Sequence, residues 1–116
     1  MSPESEKARR LIDDPGREFV ASDILRLELL PKAHYHGREL EEQFYEEFFA
    51  AAVVVVTAPS LVEEAESLAR NFGLSAADAL HVAAAIQAGA TQLITAEKPT
   101  KPLFRVTGIA VISLFS

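Results

Sequence analysis

The sequence predicts a single α/β domain in which helices cover both faces of a mainly parallel sheet. Short apolar stretches with strand character alternate with longer stretches in which apolar residues recur at helical spacing. This alternation favours parallel strands joined by crossover helices. The length of 116 residues is also close to the commonest size of one domain. We therefore expect residues 1–116 to form one domain around one core.

The N-terminal part predicts helix, strand and helix in turn. A first helix ends at the Asp-Pro-Gly turn of residues 14–16, and a short strand follows at residues 17–21 (REFVA). A second helix is expected over about residues 23–30. Ser22 is suited to cap it, because a serine hydroxyl accepts a hydrogen bond from the first turn. Pro31 is expected to end it.

The middle of the chain predicts a third helix and a buried strand. Glutamates and aromatic residues separate onto two faces of the segment ELEEQFYEEFFAAA, as in an amphipathic helix. Its apolar stripe consists of Leu40, Phe44, Tyr45, Phe48 and Phe49. The run Val53–Val56 is continuous and β-branched, which predicts a strand covered on both faces.

The C-terminal part predicts two helices and two strands. Apolar spacing over residues 61–72 indicates a helix that Gly73 closes. The segment SAADALHVAAAIQAGA, residues 75–90, predicts a nearly all-apolar helix. Strands are expected at residues 92–96 (QLITA) and 110–115 (AVISLF).

Composition narrows the classes of function. The chain has no cysteine, which excludes disulfides, thiolate catalysis and cysteine-zinc sites. No apolar run approaches the roughly 20 residues of a membrane helix, and the opening segment MSPESEKARR is rich in charge and lacks the apolar stretch of a secretory signal. We therefore expect a cytoplasmic protein without a membrane partner. The net charge of −6 disfavours a broad nucleic-acid-binding face but permits an acidic pocket for a divalent cation.

Two acids are expected to meet at the carboxyl edge of the sheet, where α/β proteins bind ligands. The eleven residues of helix from Asp78 to Gly89 span about 16 Å. The five residues of strand from Gln92 to Glu97 also span about 16 Å. A helix packed antiparallel to the strand that follows it thus brings Asp78 level with Glu97.

Glu28 is expected to be a third acid at the same edge. On a helical wheel it lies between Ile24 and Leu25, inside the apolar stripe of its helix. A carboxylate on a buried face is costly unless it is paired, protonated or bound to a metal. Hard cations such as Mg²⁺ or Mn²⁺ accept oxygen ligands and remove the repulsion between carboxylates. Such a site positions a phosphate and generates hydroxide from a bound water.

Each of these residues also has a purely structural interpretation. Asp78 completes a capping box that begins at Ser75. Glu97 lies beside a lysine in an expected loop, where a charged side chain is simply solvated. Glu28 could form an ion pair with an arginine. His81 on a helix of small residues is typical of a hydrogen-bonded core histidine.

Two segments resemble a known family. The segment GLSAADALHVAAAIQAGATQLITAE is similar to the second half of a PIN domain, the nuclease fold of VapC-type toxins, and EFVASDILRLELL resembles its strand and glutamate-bearing helix. The resemblance implies a three-layer sandwich with Glu28, Asp78 and Glu97 as catalytic metal ligands. It implies supporting roles for Ser22 and Thr95 and a structural role for His81.

One family feature is missing from this sequence. The family's first strand, which is central to its sheet, ends in D-T-N or D-S-N and supplies an aspartate ligand. This chain begins at the helix that would follow, so the resemblance implies a domain without that strand and an incomplete metal site. Three alternatives follow: the start of the sequence is truncated, another chain or segment fills the gap, or the protein is no longer an active nuclease.

Two functions are therefore expected. The first is a Mg²⁺- or Mn²⁺-dependent endoribonuclease of the toxin–antitoxin type, in which the metal activates water to cleave an RNA substrate. Lys98, Lys101 and Arg105 would receive the RNA backbone, although the same residues also fit a merely solvated loop. The second is a catalytically inactive PIN-like interaction module. Its aromatic face (Phe44, Phe48 and Phe49) would form a homodimer or bind an antitoxin-like helix, unless these rings only pack in the core.

Overall fold

The computed structural model describes residues 3–95 and 98–114. Five α-helices and four short strands alternate along this part of the chain, with one turn of 3₁₀-helix at Pro102–Arg105. In chain order they are α1 (Pro3–Ile12), β1 (Val20–Ser22), α2 (Asp23–Tyr35), α3 (Glu39–Ala51), β2 (Val53–Val55), α4 (Pro59–Phe72), α5 (Ala76–Gln87), β3 (Gln92–Thr95) and β4 (Ala110–Ser113). The prediction of an α/β fold is confirmed.

The strands are parallel, but within the described residues they form two separate pairs. In the first pair Ser22 of β1 lies opposite Val55 of β2. In the second pair Thr95 of β3 lies opposite Ser113 of β4. Helix α5 packs against both β1 and β3, so it joins the two pairs.

Helix α5 has small side chains where it meets the rest of the core. Ala79, Val82 and Ala83 are all 0% exposed. They pack with Leu61 of α4 and with Leu103 of the 3₁₀ turn. Alanine lets neighbouring elements approach the helix axis closely, and it is also the strongest helix former. The helix predicted from the segment at residues 75–90 is confirmed, and five of its residues are buried.

A smaller apolar cluster lies between α2 and α3. Its buried members are Ala21, Leu30 and Phe49. Tyr45 and Phe48 pack against it. Only part of the apolar stripe predicted for α3 therefore faces the core. Its other two members project outward, since Leu40 is 84% exposed and Phe44 is 44% exposed.

Pro31 does not end α2 as predicted, because the helix continues through it to Tyr35. Proline lacks the N–H that would bond to the carbonyl of Leu27, four residues earlier. That turn lies at the surface, where Leu27 is 67% exposed, so water can solvate the carbonyl. The helix instead ends where the N–H of His36 donates to Lys32 O at 3.1 Å.

The prediction that the valine run is covered on both faces is wrong. Val53 is 62% exposed and Val56 is 71% exposed, while Val55 packs against the main core. The reason is that β2 pairs only with β1 among the described residues, and therefore lies at an edge. The strand predicted at residues 17–21 is also displaced, since β1 comprises Val20–Ser22.

None of the helices in the described part of the chain combines the length and apolar character needed to cross a membrane.

Candidate functional site

Ser22 lies at the carboxyl end of β1 and caps α2, as the sequence predicts. Its backbone is extended, with φ −90° and ψ 156°, and its Oγ accepts a hydrogen bond from the N–H of Leu25. The distance between these two atoms is 3.0 Å. Ser22 is only 4% exposed, so its hydroxyl is held in a fixed position.

His81 connects this cap to Glu28. Its Nδ1 lies 3.0 Å from Ser22 Oγ. Its Nε2 lies 2.7 Å from Glu28 Oε1. The expectation that His81 serves packing and hydrogen bonding agrees with this geometry. The chain of contacts runs from β1 through α5 to α2, over 53 residues of sequence between Glu28 and His81.

Glu28 lies at the surface, and the prediction that it falls on a buried face is wrong. Its side chain is 46% exposed. The face of α2 that carries it is only partly covered, because Ile24 and Leu25, one turn before it, are half-buried and Pro31, one turn after it, is exposed. Its partner is His81 and not an arginine. Arg26 has other partners: its Nη2 lies 3.5 Å from Glu46 Oε2, and its guanidinium lies over the ring of Phe49.

Asp78 lies in the first turn of α5, one turn before His81. Ser75 caps the helix, since its Oγ accepts from the N–H of Asp78 at 3.2 Å. The Asp78 carboxylate is partly buried and has no hydrogen-bond or ion-pair partner among the described residues. Side chains one turn apart have Cβ atoms about 5–6 Å apart. Asp78 and the His81–Glu28 pair therefore share one side of the molecule.

The third predicted acid, Glu97, lies outside the described residues, so its meeting with the other two stays a prediction. Thr95 precedes it by two positions and is the last residue of β3. The carbonyl of Thr95 accepts a hydrogen bond from the N–H of Leu114 at 2.9 Å. Because only Ala88–Thr91 connects α5 to β3, the strand returns alongside the helix, and we expect its carboxyl end to lie towards Asp78.

The described residues contain no group of three or more histidine, aspartate or glutamate side chains placed to hold a metal ion. What they offer is two oxygen donors on neighbouring helices, Glu28 and Asp78. Carboxylate oxygens are the ligands that Mg²⁺ and Mn²⁺ prefer, so the donor set fits a hard cation. The site predicted from the sequence requires Glu97 in addition to these two.

The three basic residues named as an RNA contact are all exposed. Lys98 and Lys101 belong to the loop that precedes the 3₁₀ turn, and Lys101 N donates to Lys98 O at 3.0 Å. Arg105 ends that turn. Its Nη1 lies 3.6 Å from where a Cβ on Gly73 would be. Gly73 joins α4 to the start of α5, so Arg105 is at the same end of α5 as Asp78.

Sequence reasoning missed one pair at this edge, Asp23 and Thr57. Asp23 Oδ1 accepts from the hydroxyl of Thr57 at 2.6 Å. Asp23 Oδ2 accepts from the backbone N–H of Thr57 at 2.8 Å. These two bonds hold the pKa of Asp23 below its ordinary value of 3.8, and the bond from the Thr57 hydroxyl is the larger cause. The bonds fasten the loop after β2 to the start of α2. The only sequence signal was an acid directly after a capping serine.

Comparison with protein families gives one finding. A family model described as PIN domain matches residues 1–99, a segment that includes Ser22, Glu28, Asp78 and His81. Comparison with curated proteins gave no significant match, and neither did comparison with solved structures. Because the matched segment covers well over half of the 116 residues, the chain belongs to the PIN-domain family, whose α/β fold is of the nuclease type.

Proposed function

We propose that this protein is a Mg²⁺- or Mn²⁺-dependent endoribonuclease of the toxin–antitoxin type, similar to VapC toxins. One observation carries the proposal: Glu28 of α2 and the Asp78–His81 turn of α5 share one side of the molecule, joined by the bond between Glu28 and His81. PIN domains commonly use divalent metals. Glu28, Asp78 and Glu97 are the residues that would hold the ion.

A bound ion of this kind supplies a nucleophilic hydroxide and screens the negative charge of a phosphodiester. The protein's own groups have the tasks of holding and orienting. The Asp78 carboxylate is free to bind a cation because the described residues offer it no partner. Glu28 keeps a second oxygen, Oε2, beyond the one bonded to His81. Thr95, at the end of β3, would support Glu97.

Exposed basic groups favour a substrate with a phosphate backbone. Arg105 lies at the end of α5 that carries Asp78, next to Gly73. Lys98 and Lys101 lie in the loop just before the same 3₁₀ turn. Cations placed beside an acidic metal site can bind phosphates on either side of the cleaved bond. The overall charge of −6 disfavours phosphate binding over the surface as a whole, so such binding depends on local groups of basic residues.

The test is cleavage of single-stranded RNA by the purified protein with Mn²⁺, with a chelator as the metal-free control. Glu28→Gln and Asp78→Asn should each lower the rate by roughly 100-fold or more, because each removes a charged metal ligand. The matched controls are Glu63→Gln and Asp13→Asn, exposed acids on α4 and after α1. Unchanged cleavage in both site variants would disprove the assignment.

A second candidate function is supported by a different observation, the exposed apolar side of α3. Phe44 is 44% exposed beside a groove of about 230 Å³ that Ile12, Phe19 and Phe48 also line. This face would suit a non-catalytic module that forms a homodimer or binds an antitoxin-like helix.

The two functions differ in what the protein binds. The interaction module predicts no Mn²⁺ binding in calorimetry and a stable dimer in sedimentation. Phe44→Ser should then weaken the dimer, while Val62→Ser, at a 49% exposed position on α4, should not. Mn²⁺ binding by a protein that stays monomeric would exclude the homodimeric, metal-free form of this second function.

A further inference from the structure

The bonds around His81 have a definite direction. Ser22 Oγ already accepts from the N–H of Leu25 at 3.0 Å, and its own proton needs an acceptor. At 4% exposure water does not supply one, and His81 Nδ1 lies 3.0 Å away. The hydroxyl therefore donates to Nδ1, because a buried donor left unpaired is costly. A neutral ring that accepts at Nδ1 carries its proton on Nε2.

That proton is directed at Glu28. His81 Nε2 lies 2.7 Å from Glu28 Oε1, a distance typical of a strong bond to a carboxylate. The two partners differ in exposure, since the side chain of His81 is 19% exposed and that of Glu28 is 46% exposed. A glutamate exposed to this degree would otherwise sample several rotamers in water. The ring holds one carboxylate oxygen and leaves Oε2 without a partner among the described residues.

We propose that His81 is a positioning residue: Ser22 fixes its Nε2–H tautomer, and the ring in turn fixes the Glu28 carboxylate with Oε2 available to a divalent cation. This inference rests on the proposed function, because the cation is the one proposed there. Hydrogen-bonded partners that orient metal ligands typically change metal affinity by 10–100-fold when they are removed. The two ring nitrogens thus have separate tasks: Nδ1 bonds to a buried hydroxyl, and Nε2 aims a ligand.

Two substitutions separate these tasks. In His81→Gln the side-chain amide reaches about as far as Nε2, so it retains a donor for Glu28 and loses the bond to Ser22. In His81→Asn the shorter amide reaches about as far as Nδ1, so it retains a partner for Ser22 and loses Glu28. If His81 were merely structural, the variant that better preserves the stability of the fold would also better preserve the Glu28 carboxylate and Mn²⁺ binding.

The deciding measurement uses the metal-free protein. Imidazole ¹⁵N shifts at a pH of about 8 should show the neutral Nε2–H tautomer, and Ser22→Ala should change the tautomer mixture. The ¹³C shift of the Glu28 carboxylate should stay near the wild-type value in His81→Gln and move in His81→Asn. An Nδ1–H tautomer, a doubly protonated ring, or equal Glu28 shifts in the two variants would overturn the inference.

Calorimetry with Mn²⁺ then tests the consequence. We expect His81→Gln to bind within about threefold of wild type and His81→Asn to bind roughly tenfold or more weakly. Urea unfolding should show the reverse order, with His81→Asn the more stable variant. If wild type binds no Mn²⁺ while the ¹⁵N and ¹³C results hold, the proposed function fails and the positioning of Glu28 stands. If wild type binds Mn²⁺ and the two variants bind it equally, the positioning fails and the proposed function stands.

Discussion

Thr57 and Asp23 form the shortest side-chain bond described at the candidate edge, 2.6 Å between Oγ1 and Oδ1. The bond matters because Asp23 begins α2, the helix that carries Glu28. Two donors on one carboxylate favour its charged form, which is why its pKa is lowered. The position of Glu28 therefore depends in part on a loop that follows a different strand.

Removing the hydroxyl should raise the pKa of Asp23 back towards its ordinary value. Thr57→Val keeps the shape of the side chain and the backbone N–H donor. It loses the hydroxyl, whose hydrogen bond is the largest cause of the lowered pKa. A lowered pKa contributes stability above the unfolded pKa that is lost as the pH falls through the folded value. The variant should therefore lose less stability than wild type when the pH falls below about 4.

The measurement is the carboxyl ¹³C titration of Asp23, together with urea unfolding at several acid pH values. Thr107→Val, an exposed threonine in the loop before β4, is the control. An Asp23 titration in Thr57→Val that matches wild type would contradict this account of the shift.

Single residues were predictable where the cause is local. The cap by Ser22 follows from a serine placed directly before a helix, and the structure confirms it. The burial of Glu28 was predicted wrongly, because a helical wheel shows which residues share a face and not whether that face is covered. The bond between Ser22 and His81 joins residues 59 positions apart, so it depends on tertiary packing.

At the scale of elements, α2 shows a conflict between local preference and packing. Proline in a helix interior costs about 3 kcal/mol relative to alanine. Leu30 and Ala33 on either side of Pro31 are both buried, and their burial offsets that cost and carries the helix to Tyr35. Local rules ended this helix too early for that reason, whereas Gly73, with φ 70°, ends α4 where they predict.

Replacing Pro31 should stabilise the protein. Pro31→Ala restores a backbone donor for the carbonyl of Leu27, which stabilises the folded protein. The unfolded chain also gains conformational entropy when the proline is removed, and this offsets part of the stabilisation. We expect the free energy of unfolding to rise by about 1–2 kcal/mol in urea titration. Lys32→Ala, on the same exposed turn, should change it by less than about 0.5 kcal/mol. A loss of stability in Pro31→Ala would mean that the ring itself makes stabilising contacts.

At the scale of the whole molecule, α5 connects the two strand pairs. The sequence predicted the alternation of helices and strands, and the parallel pairings confirm it. Within the described residues the strands form two pairs and not one sheet, which agrees with the implied absence of a central strand. The sequence also predicted a buried β2, because a run of valines has the same appearance at an edge as in the centre of a sheet.

A larger side chain in the middle of α5 should therefore loosen both pairs together. Ala83 is 0% exposed, so Ala83→Leu forces its neighbours apart and should cost about 1–3 kcal/mol. Amide hydrogen exchange should accelerate in β1 and in β3. Ala50→Leu, at an exposed position on α3, should leave both strands protected. Faster exchange confined to one strand pair would show that α5 does not couple them.

The exposed edge at β2 has a consequence for how this protein behaves at high concentration. Residues 50–58 (AAAVVVVTA) contain no charged side chain and no proline. Natural edge strands usually carry such residues as gatekeepers, because unpaired backbone groups can template the addition of another chain. The net charge of −6 makes whole molecules repel each other, but no charged side chain within this segment opposes its association with another copy. Overexpression or prolonged storage should thus select β2 as the point from which fibrils nucleate.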